Sequence, residues 1–144
     1  MSVPKRFNVR VYGILHKEGQ ILVNEEMIRG RKVIKLPGGG LEWGEGTKDC
    51  LIREWKEELD LDIKIADHFY TTDFFQHSAF DDSQVISIYY FVTVATLPDI
   101  LVNHVENERT YWLPINRIDS ETFTLPIDRL VGGLLQEYFS AGTL

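Results

Sequence analysis

The sequence LPGGGLEWGEG, residues 36–46, leads directly into TKDCLIREWKEEL, residues 47–59, and these two segments contain the most informative pattern in the chain. The first contains five glycines, which let the backbone approach a ligand or an ion closely. A flexible surface loop is the alternative if the glycines are considered alone. The second segment has the spacing of an amphipathic helix, predicted over residues 48–59 with Thr47 as its N-cap.

One side of the predicted helix is acidic. At about 100° per residue, Glu54, Glu57 and Glu58 fall within an arc of about 100°. Like charges at these spacings repel, and the last turn of a helix disfavours negative charge. A divalent cation among the carboxylates explains the pattern, and an oxygen-only ligand set favours Mg²⁺ or Mn²⁺ over zinc. A solvated acidic face that binds no metal is the alternative. The neighbouring arc is apolar and is predicted to face the core; it contains Leu51, Ile52, Trp55 and Leu59.

The charged residues and the glycine before them resemble a Nudix box. The matching positions are Gly39, Glu45, Arg53, Glu54, Glu57 and Glu58. The resemblance implies an α/β fold: a Nudix-like α/β/α sandwich with a mixed sheet, a catalytic loop-helix and a C-terminal helix. It also implies hydrolysis of a phosphoanhydride bond with Mg²⁺, or Mn²⁺ as a substitute.

Two positions depart from the pattern of that family. Trp55 stands where an aliphatic residue is usual, and we expect it to change only the packing. Asp60 replaces the late glycine, and because aspartate tolerates left-handed backbone geometry we expect a small loss of stability.

The resemblance assigns roles to the matching residues. The metal ligands it implies are Glu54, Glu57, Glu58 and the carbonyl of Gly38, with Glu108 as a more distant candidate. Arg53 is expected to pair with Glu45 or Glu54 and to orient the carboxylates. For the base that activates water, Glu57 is the first candidate and Glu58 the second. A distant glutamate, Glu106 or with slight preference Glu108, is the third, and two solvated loop acids are an equal alternative.

A cationic cluster precedes the glycines. Arg29, Arg31, Lys32 and Lys35 lie within seven residues that contain no acid. Arg29, Arg31 and Lys35 are predicted to attract and hold the terminal phosphate of the substrate. A solvated hairpin tip is the alternative.

The predicted reaction is attack of water on phosphorus in a nucleoside diphosphate linked to another group. The first alternative is a sensing module of the same fold that binds a nucleotide derivative without cleaving it. The second is a structural or partner-binding domain. The complete set of charged box residues favours turnover, and the identity of the diphosphate substrate is not encoded in the box.

Strands and one further helix are predicted outside the box. A half-buried strand is expected at 7–12, and the other strands at 21–23, 33–36, 63–75, 85–94 and 110–113. The C-terminal helix is predicted from an apolar stripe at Ile127, Leu130, Val131, Leu134, Leu135, Tyr138 and Phe139. Gly132 and Gly133 interrupt this stripe, and we expect them to permit close packing.

Length and composition narrow the remaining possibilities. The 144 residues suit a single domain, 1–144, and the net charge of −7 argues against broad nucleic-acid binding. Cys50 is the one cysteine, so an intrachain disulfide is excluded and a reducing, cytoplasmic location is expected. We predict no export signal and no membrane segment. A homodimer is left open by the sequence.

Overall fold

The computed structural model describes residues 3–142, so the two residues at each end of the predicted 1–144 domain lie outside the described residues. Its elements are β1 (Phe7–Ile14), β2 (His16–Lys17), β3 (Gln20–Ile28), β4 (Arg31–Lys35), β5 (Gly38–Gly40), α1 (Thr47–Leu59), β6 (Ile63–Thr71), β7 (Gln84–Val94), β8 (Glu108–Pro114), a 3₁₀ turn (Ile115–Arg117) and α2 (Pro126–Ser140). That the whole chain forms a single domain stays a prediction.

The strands form two four-stranded sheets. In the first, the order is β5-β1-β7-β6, with β1 parallel to β7 and the other pairs antiparallel. In the second, β3 pairs with β8 and also with β2 and β4, all antiparallel. The first sheet is the predicted mixed sheet, and the α/β fold class is confirmed.

Strand β1 differs from the half-buried strand predicted from its alternation. Val11 and Tyr12 are adjacent in the strand and point to opposite faces, yet both are buried. Phe7, which the alternation assigned to the core, is 68% exposed. The prediction of a half-buried strand was wrong because β1 lies inside its sheet with apolar layers on both faces.

Each face of the sheets carries its own core. Helix α1 packs with one alternating set of strand residues, which includes Val11 and Leu22. Helix α2 packs with the other set, which includes Tyr12 and Ile21. The helices therefore cover opposite faces, as the predicted α/β/α sandwich requires.

Three local predictions near α1 need correction. Gly38–Gly40 is not loop but strand β5, because it pairs with residues 10–12 of β1. The N-cap is Gly46 and not Thr47; the Gly46 N–H donates to Asp49 Oδ2 at 2.9 Å. Ile52, predicted to face the core, is 42% exposed.

Two strands differ in length from the predicted ones. Strand β3, predicted at 21–23, continues to Ile28. Strand β6 ends at Thr71, before the predicted residue 75. Helix α2 buries the predicted stripe in part, since Leu130 is exposed on the far side. A Cβ added at Gly132 would lie 2.4 Å from the Asp119 carbonyl oxygen, whereas one at Gly133 would lie 3.7 Å from its nearest neighbour, Ser120 Cβ. Close packing therefore requires a glycine at the first position and not at the second.

Candidate active site

Helix α1 presents the acidic residues of the box at the edge of the glycine strand. The helix ends at Leu59, and the C-cap residue Asp60 has left-handed φ and ψ of 53° and 40°, so aspartate adopts the geometry expected of the usual glycine. The Asp60 carboxylate also pairs with Lys56 at 2.9 Å. Trp55 is buried and its indole N–H donates to the Pro37 carbonyl at 3.1 Å, which ties the helix to the chain just before β5.

Arg53 connects the acids of this region. Its guanidinium donates to Glu45 at 2.7 and 3.0 Å and to Glu54 at 3.0 Å. It also donates to Glu57 at 3.2 Å and to the Gly40 carbonyl at 3.1 Å. Hydrogen bonds from Arg53 lower the pKa of Glu45 to about 2, so this carboxylate is ionised at neutral pH. Arg53 therefore has the contacts of a residue that orients several carboxylates.

Glu54 lies against the backbone of β5. A Cβ built on Gly39 would stand 2.3 Å from Glu54 Cδ and 2.5 Å from each carboxylate oxygen. The side chain of Glu54 is only 14% exposed. The glycine at this position therefore provides the space that the carboxylate occupies.

Glu58 and Glu108 bring a second helix acid and a strand acid together. Burial, together with the nearby Glu108 and Glu54 carboxylates, raises the pKa of Glu58 to about 8. Glu106 and Glu108 differ in burial: Glu108 is half-buried at the start of β8, whereas Glu106 is exposed. Of the two distant glutamates, Glu108 is the one that faces the helix acids.

Glu57 is placed differently from its neighbours. It is 59% exposed and its carboxylate is turned to Arg53. Within residues 3–142, no three acidic, histidine or cysteine side chains form a ready-made metal cluster. The crowding of Glu54, Glu58 and Glu108 nevertheless fits a divalent cation, because oxygen donors of like charge are held together there at an energetic penalty that a cation removes.

Cys50 lies beside this cluster and is fully buried. Its Sγ contacts the Gly40 carbonyl at 3.4 Å, and burial raises the pKa of the thiol to about 12. Because the thiolate is the reactive form, Cys50 is a packing residue and not a nucleophile.

The cations before the glycines occupy different environments. Lys35 is buried, and its ammonium pairs with Glu26 at 2.6 Å. Arg29 and Gly30 form the exposed turn between β3 and β4 with positive φ. The Arg31 guanidinium lies 5.9 Å from the centre of the Phe80 ring. Lys32 is exposed and 3.8 Å from Glu25, so it matches the alternative of a solvated hairpin.

A cavity of about 320 Å³ is lined by residues of the sheets, of the segment before β7 and of the start of α2, and Glu54, Glu57, Glu58 and Glu108 are not among its lining residues. Among its lining residues are the predicted Arg29 and Lys35, together with three that the sequence did not single out: Arg10, Tyr12 and Asp128. Arg10 Nε donates to Tyr12 Oη at 2.7 Å, and buried Asp128 accepts a hydrogen bond from the Tyr89 hydroxyl. A charged residue inside an apolar strand or in the apolar first turn of a helix is the signal that could have identified Arg10 and Asp128.

The cavity and the carboxylates form one electrostatic region. Lys35 lowers and Glu54 raises the pKa of Glu58, and Arg10 is within electrostatic range of Glu54. A Cβ on Gly40 would lie 3.6 Å from an Arg10 nitrogen, which places that guanidinium next to the glycine strand. An anion in the cavity would therefore contact Arg10 and Lys35, the two cations that also interact with the helix acids.

Comparison with known proteins decides the family. The model of the NUDIX domain matches residues 4–131. The chain belongs to the Nudix family. As a Nudix-type hydrolase it is an enzyme that acts on phosphoanhydride bonds, and Nudix enzymes generally use divalent metal ions. The resemblance seen in the box is thereby confirmed.

Solved Nudix structures share the fold at low sequence identity. MutT protein from Methanosarcina mazei Go1 is 20% identical with a TM-score of 0.74, over 99% of this chain and 100% of that one. A NUDIX hydrolase from Nitrosomonas europaea is 20% identical with a TM-score of 0.73, over 96% and 90%.

A third similar structure belongs to a larger protein. It is a bifunctional NMN adenylyltransferase/ADP ribose pyrophosphatase from Francisella tularensis, complexed with AMP and a manganese ion. It is 18% identical with a TM-score of 0.69, over 93% of this chain and 42% of that one. In the described part of this Nudix chain, neither helix is long and apolar enough to cross a bilayer.

Proposed function

We propose that this Nudix enzyme is a metal-dependent pyrophosphohydrolase that cleaves the diphosphate linkage of a nucleoside diphosphate joined to another group. Water attacks one phosphorus of the linkage, and the products are a nucleoside monophosphate and the phosphorylated remainder. The proposed partner is thus a small molecule and not a nucleic acid, and the proposed location is the cytoplasm.

One observation carries the proposal: cations that line the cavity are within electrostatic range of the helix acids. Lys35 interacts in this way with Glu58, and Arg10 with Glu54. Hydrolysis of a diphosphate needs cationic groups that bind its oxygens and a separate carboxylate that acts as the base for water, and this arrangement supplies both.

Magnesium, with manganese as a substitute, is the proposed cofactor. The residues that would hold it are Glu54, Glu57, Glu58, Glu108 and the carbonyl of Gly38. When bound, the ion neutralises charge that develops on the phosphate oxygens and lowers the pKa of the attacking water.

The chain's own side chains would prepare the rest of the reaction. Arg53 holds Glu45 and Glu54 in place through the hydrogen bonds described above, which limits the reorganisation needed when substrate arrives. Glu57 is the first candidate for the base and Glu58 the second. Glu57 is exposed and reaches solvent water, whereas Glu58 is close to the distant candidate Glu108.

The predicted phosphate contacts come from the β3–β4 hairpin. Arg29 and Lys35 line the cavity, while Arg31 stacks on Phe80, which also lines it. Because Lys35 is already neutralised in part by Glu26, the more exposed Arg29 is the proposed main contact for a terminal phosphate.

The test is a phosphate-release screen of diphosphate compounds with Mg²⁺ and with Mn²⁺. Glu57→Gln is expected to lower kcat by about 10³-fold on the best substrate, since a general base contributes about 10²–10⁴-fold. Glu137→Gln on the exposed side of α2 is the matched control and should retain wild-type turnover. Chelation of divalent ions should abolish the activity of both the wild type and the Glu137→Gln control.

The outcomes separate the candidates for the base. Equal turnover of Glu57→Gln and the control would remove Glu57 from the mechanism, and Glu58→Gln and Glu108→Gln are compared on the same substrate. Failure of the wild-type enzyme to cleave any diphosphate with either metal would refute the proposed function itself.

A further inference from the structure

Glu108 is held by a buried residue far away in the sequence. The Asn24 Nδ2 donates a hydrogen bond to Glu108 Oε1. Asn24 is only 1% exposed and lies in the middle of β3, two residues from Glu26, which is directly opposite Glu108 in the β3–β8 register. Asn24 lies before the Nudix box, which spans residues 39–61, so the box assigns it no role.

The orientation of the Asn24 amide is determined by its other neighbours. Its Oδ1 accepts hydrogen bonds from Asn103 Nδ2 at 3.0 Å and from Thr110 Oγ at 2.9 Å. Turning the amide over would place Nδ2 against the Asn103 amide nitrogen and Oδ1 against the Glu108 carboxylate. Asn103 cannot turn in compensation, because its Oδ1 accepts a hydrogen bond from the Val105 N–H at 2.8 Å. The network therefore directs Asn24 Nδ2, and not Oδ1, to Glu108.

The hydrogen bond from Asn24 counteracts electrostatic repulsion between Glu108 and the helix acids. Glu108 faces Glu58 and, beyond it, Glu54, so its carboxylate would lower its energy by turning away from both toward solvent. A hydrogen bond from a buried amide that is itself anchored by two donors retains the carboxylate in place. The loop before Glu108 is fastened to the same strand, because Met27 N–H donates to the Asn107 carbonyl at 3.2 Å.

We infer that Asn24 is a positioning residue that keeps the Glu108 carboxylate directed at the Glu54–Glu58 edge of α1. The inference rests on the proposed function, in which Glu108 takes part in metal binding or in activation of water. Asn24 itself touches neither substrate nor reacting atoms; it acts through Glu108.

The experiment is a double-mutant cycle with two readouts. Asn24→Leu removes the donor without adding charge, and it is made in the wild-type and Glu108→Gln backgrounds. The readouts are kcat and KM on the best substrate, and the Kd for Mn²⁺ alone from the EPR signal of free Mn²⁺. Loss of an outer hydrogen-bond partner lowers activity or metal affinity by about 10–100-fold.

The expected result is a fall of about tenfold or more in kcat, with KM little changed, and weaker Mn²⁺ binding in the wild-type background. In the Glu108→Gln background the same substitution should change neither readout. Gln20→Leu is the matched control: it removes an exposed side-chain amide from the same strand at the end away from Glu108, and kcat should stay within about twofold of wild type. Urea unfolding of each variant measures the stability change separately.

Equal fractional losses in both backgrounds, or no loss in either, would overturn the inference, because a purely structural residue acts regardless of Glu108. If Asn24→Leu fails to fold, Asn24→Ser enters the same cycle, since it also removes the amide. If wild type cleaves no diphosphate, the proposed function fails and the Mn²⁺ readout alone decides the role of Asn24. A wild-type protein without turnover and without Mn²⁺ binding overturns both.

Discussion

Substitution of Gly39 by alanine tests whether the position of Glu54 matters for turnover. The added Cβ would be 2.3 Å from Glu54 Cδ and 2.5 Å from both carboxylate oxygens. Ordinary contact needs about 3.5 Å, so the carboxylate must retreat by about 1 Å. Gly39 has no positive φ, so alanine introduces no backbone strain of its own.

The expected effect is large on activity and small on stability. Glu54 is the end of a flexible side chain and can move, so we expect the free energy of unfolding to fall by only about 1 kcal/mol. A displacement of about 1 Å at a reacting centre lowers turnover by about 100-fold. The movement also pulls Glu54 from its hydrogen bond with Arg53, at 3.0 Å in the wild type.

The adjacent glycine provides the control. A Cβ at Gly40 would meet only an Arg10 nitrogen at 3.6 Å, an ordinary contact, in the same strand and with the same change in composition. Both variants are assayed for kcat on the best substrate from the screen and for unfolding in urea. If Gly39→Ala and Gly40→Ala turn over equally, the position of Glu54 is not limiting and the reasoning is refuted.

Two further predictions concern α2. Gly132→Ala should lower the free energy of unfolding by about 1–3 kcal/mol, because its Cβ would lie 2.4 Å from the Asp119 carbonyl oxygen. Gly133→Ala should be neutral or stabilise the protein by up to about 1 kcal/mol. Urea unfolding compares the two variants, and equal effects would contradict the packing argument. Burial raises the pKa of Asp128 to about 6, so the folded protein binds this proton more tightly than the unfolded chain does. The contribution of Asp128 to stability therefore falls as pH rises from about 4 to about 6. Asp128→Asn keeps an acceptor for Tyr89 but cannot ionise. Its free energy of unfolding should therefore exceed that of wild type by an amount that grows over this pH range to about 3 kcal/mol, measured by urea unfolding at each pH. A difference independent of pH would show that Asp128 does not titrate there.

Local spacing accounts for what could be predicted about α1. A helix turns by a constant angle per residue, so the separation of Glu54, Glu57 and Glu58 in the sequence determines which side of α1 they occupy. The same rule placed Leu51 and Trp55 in the core. It failed for Ile52, at the border of the apolar arc, because the width of the buried stripe depends on which strands cover the helix.

Strand pairing was less accessible from local patterns. The glycines at 38–40 have no side chains to show a strand period, yet β1 supplies the partner that makes them β5. Alternation in β1 indicated one buried face, and only the assembled sandwich shows that both faces are covered. Whether a strand is central or at an edge is set by residues distant in the sequence, and no window of neighbouring residues contains that information.

The spacing of residues along single short segments was enough to predict the Nudix resemblance, the acidic side of α1 and most of the apolar stripe of α2. Contacts between distant segments were not accessible in this way: Asn24 contacts Glu108, Glu57 turns to Arg53 while Glu58 is half-buried, and Arg10 and Lys35 share a cavity with Asp128. These groups meet because strand register and sheet stacking bring separate segments together, and the energy of such contacts depends on burial, which exists only after the chain has folded.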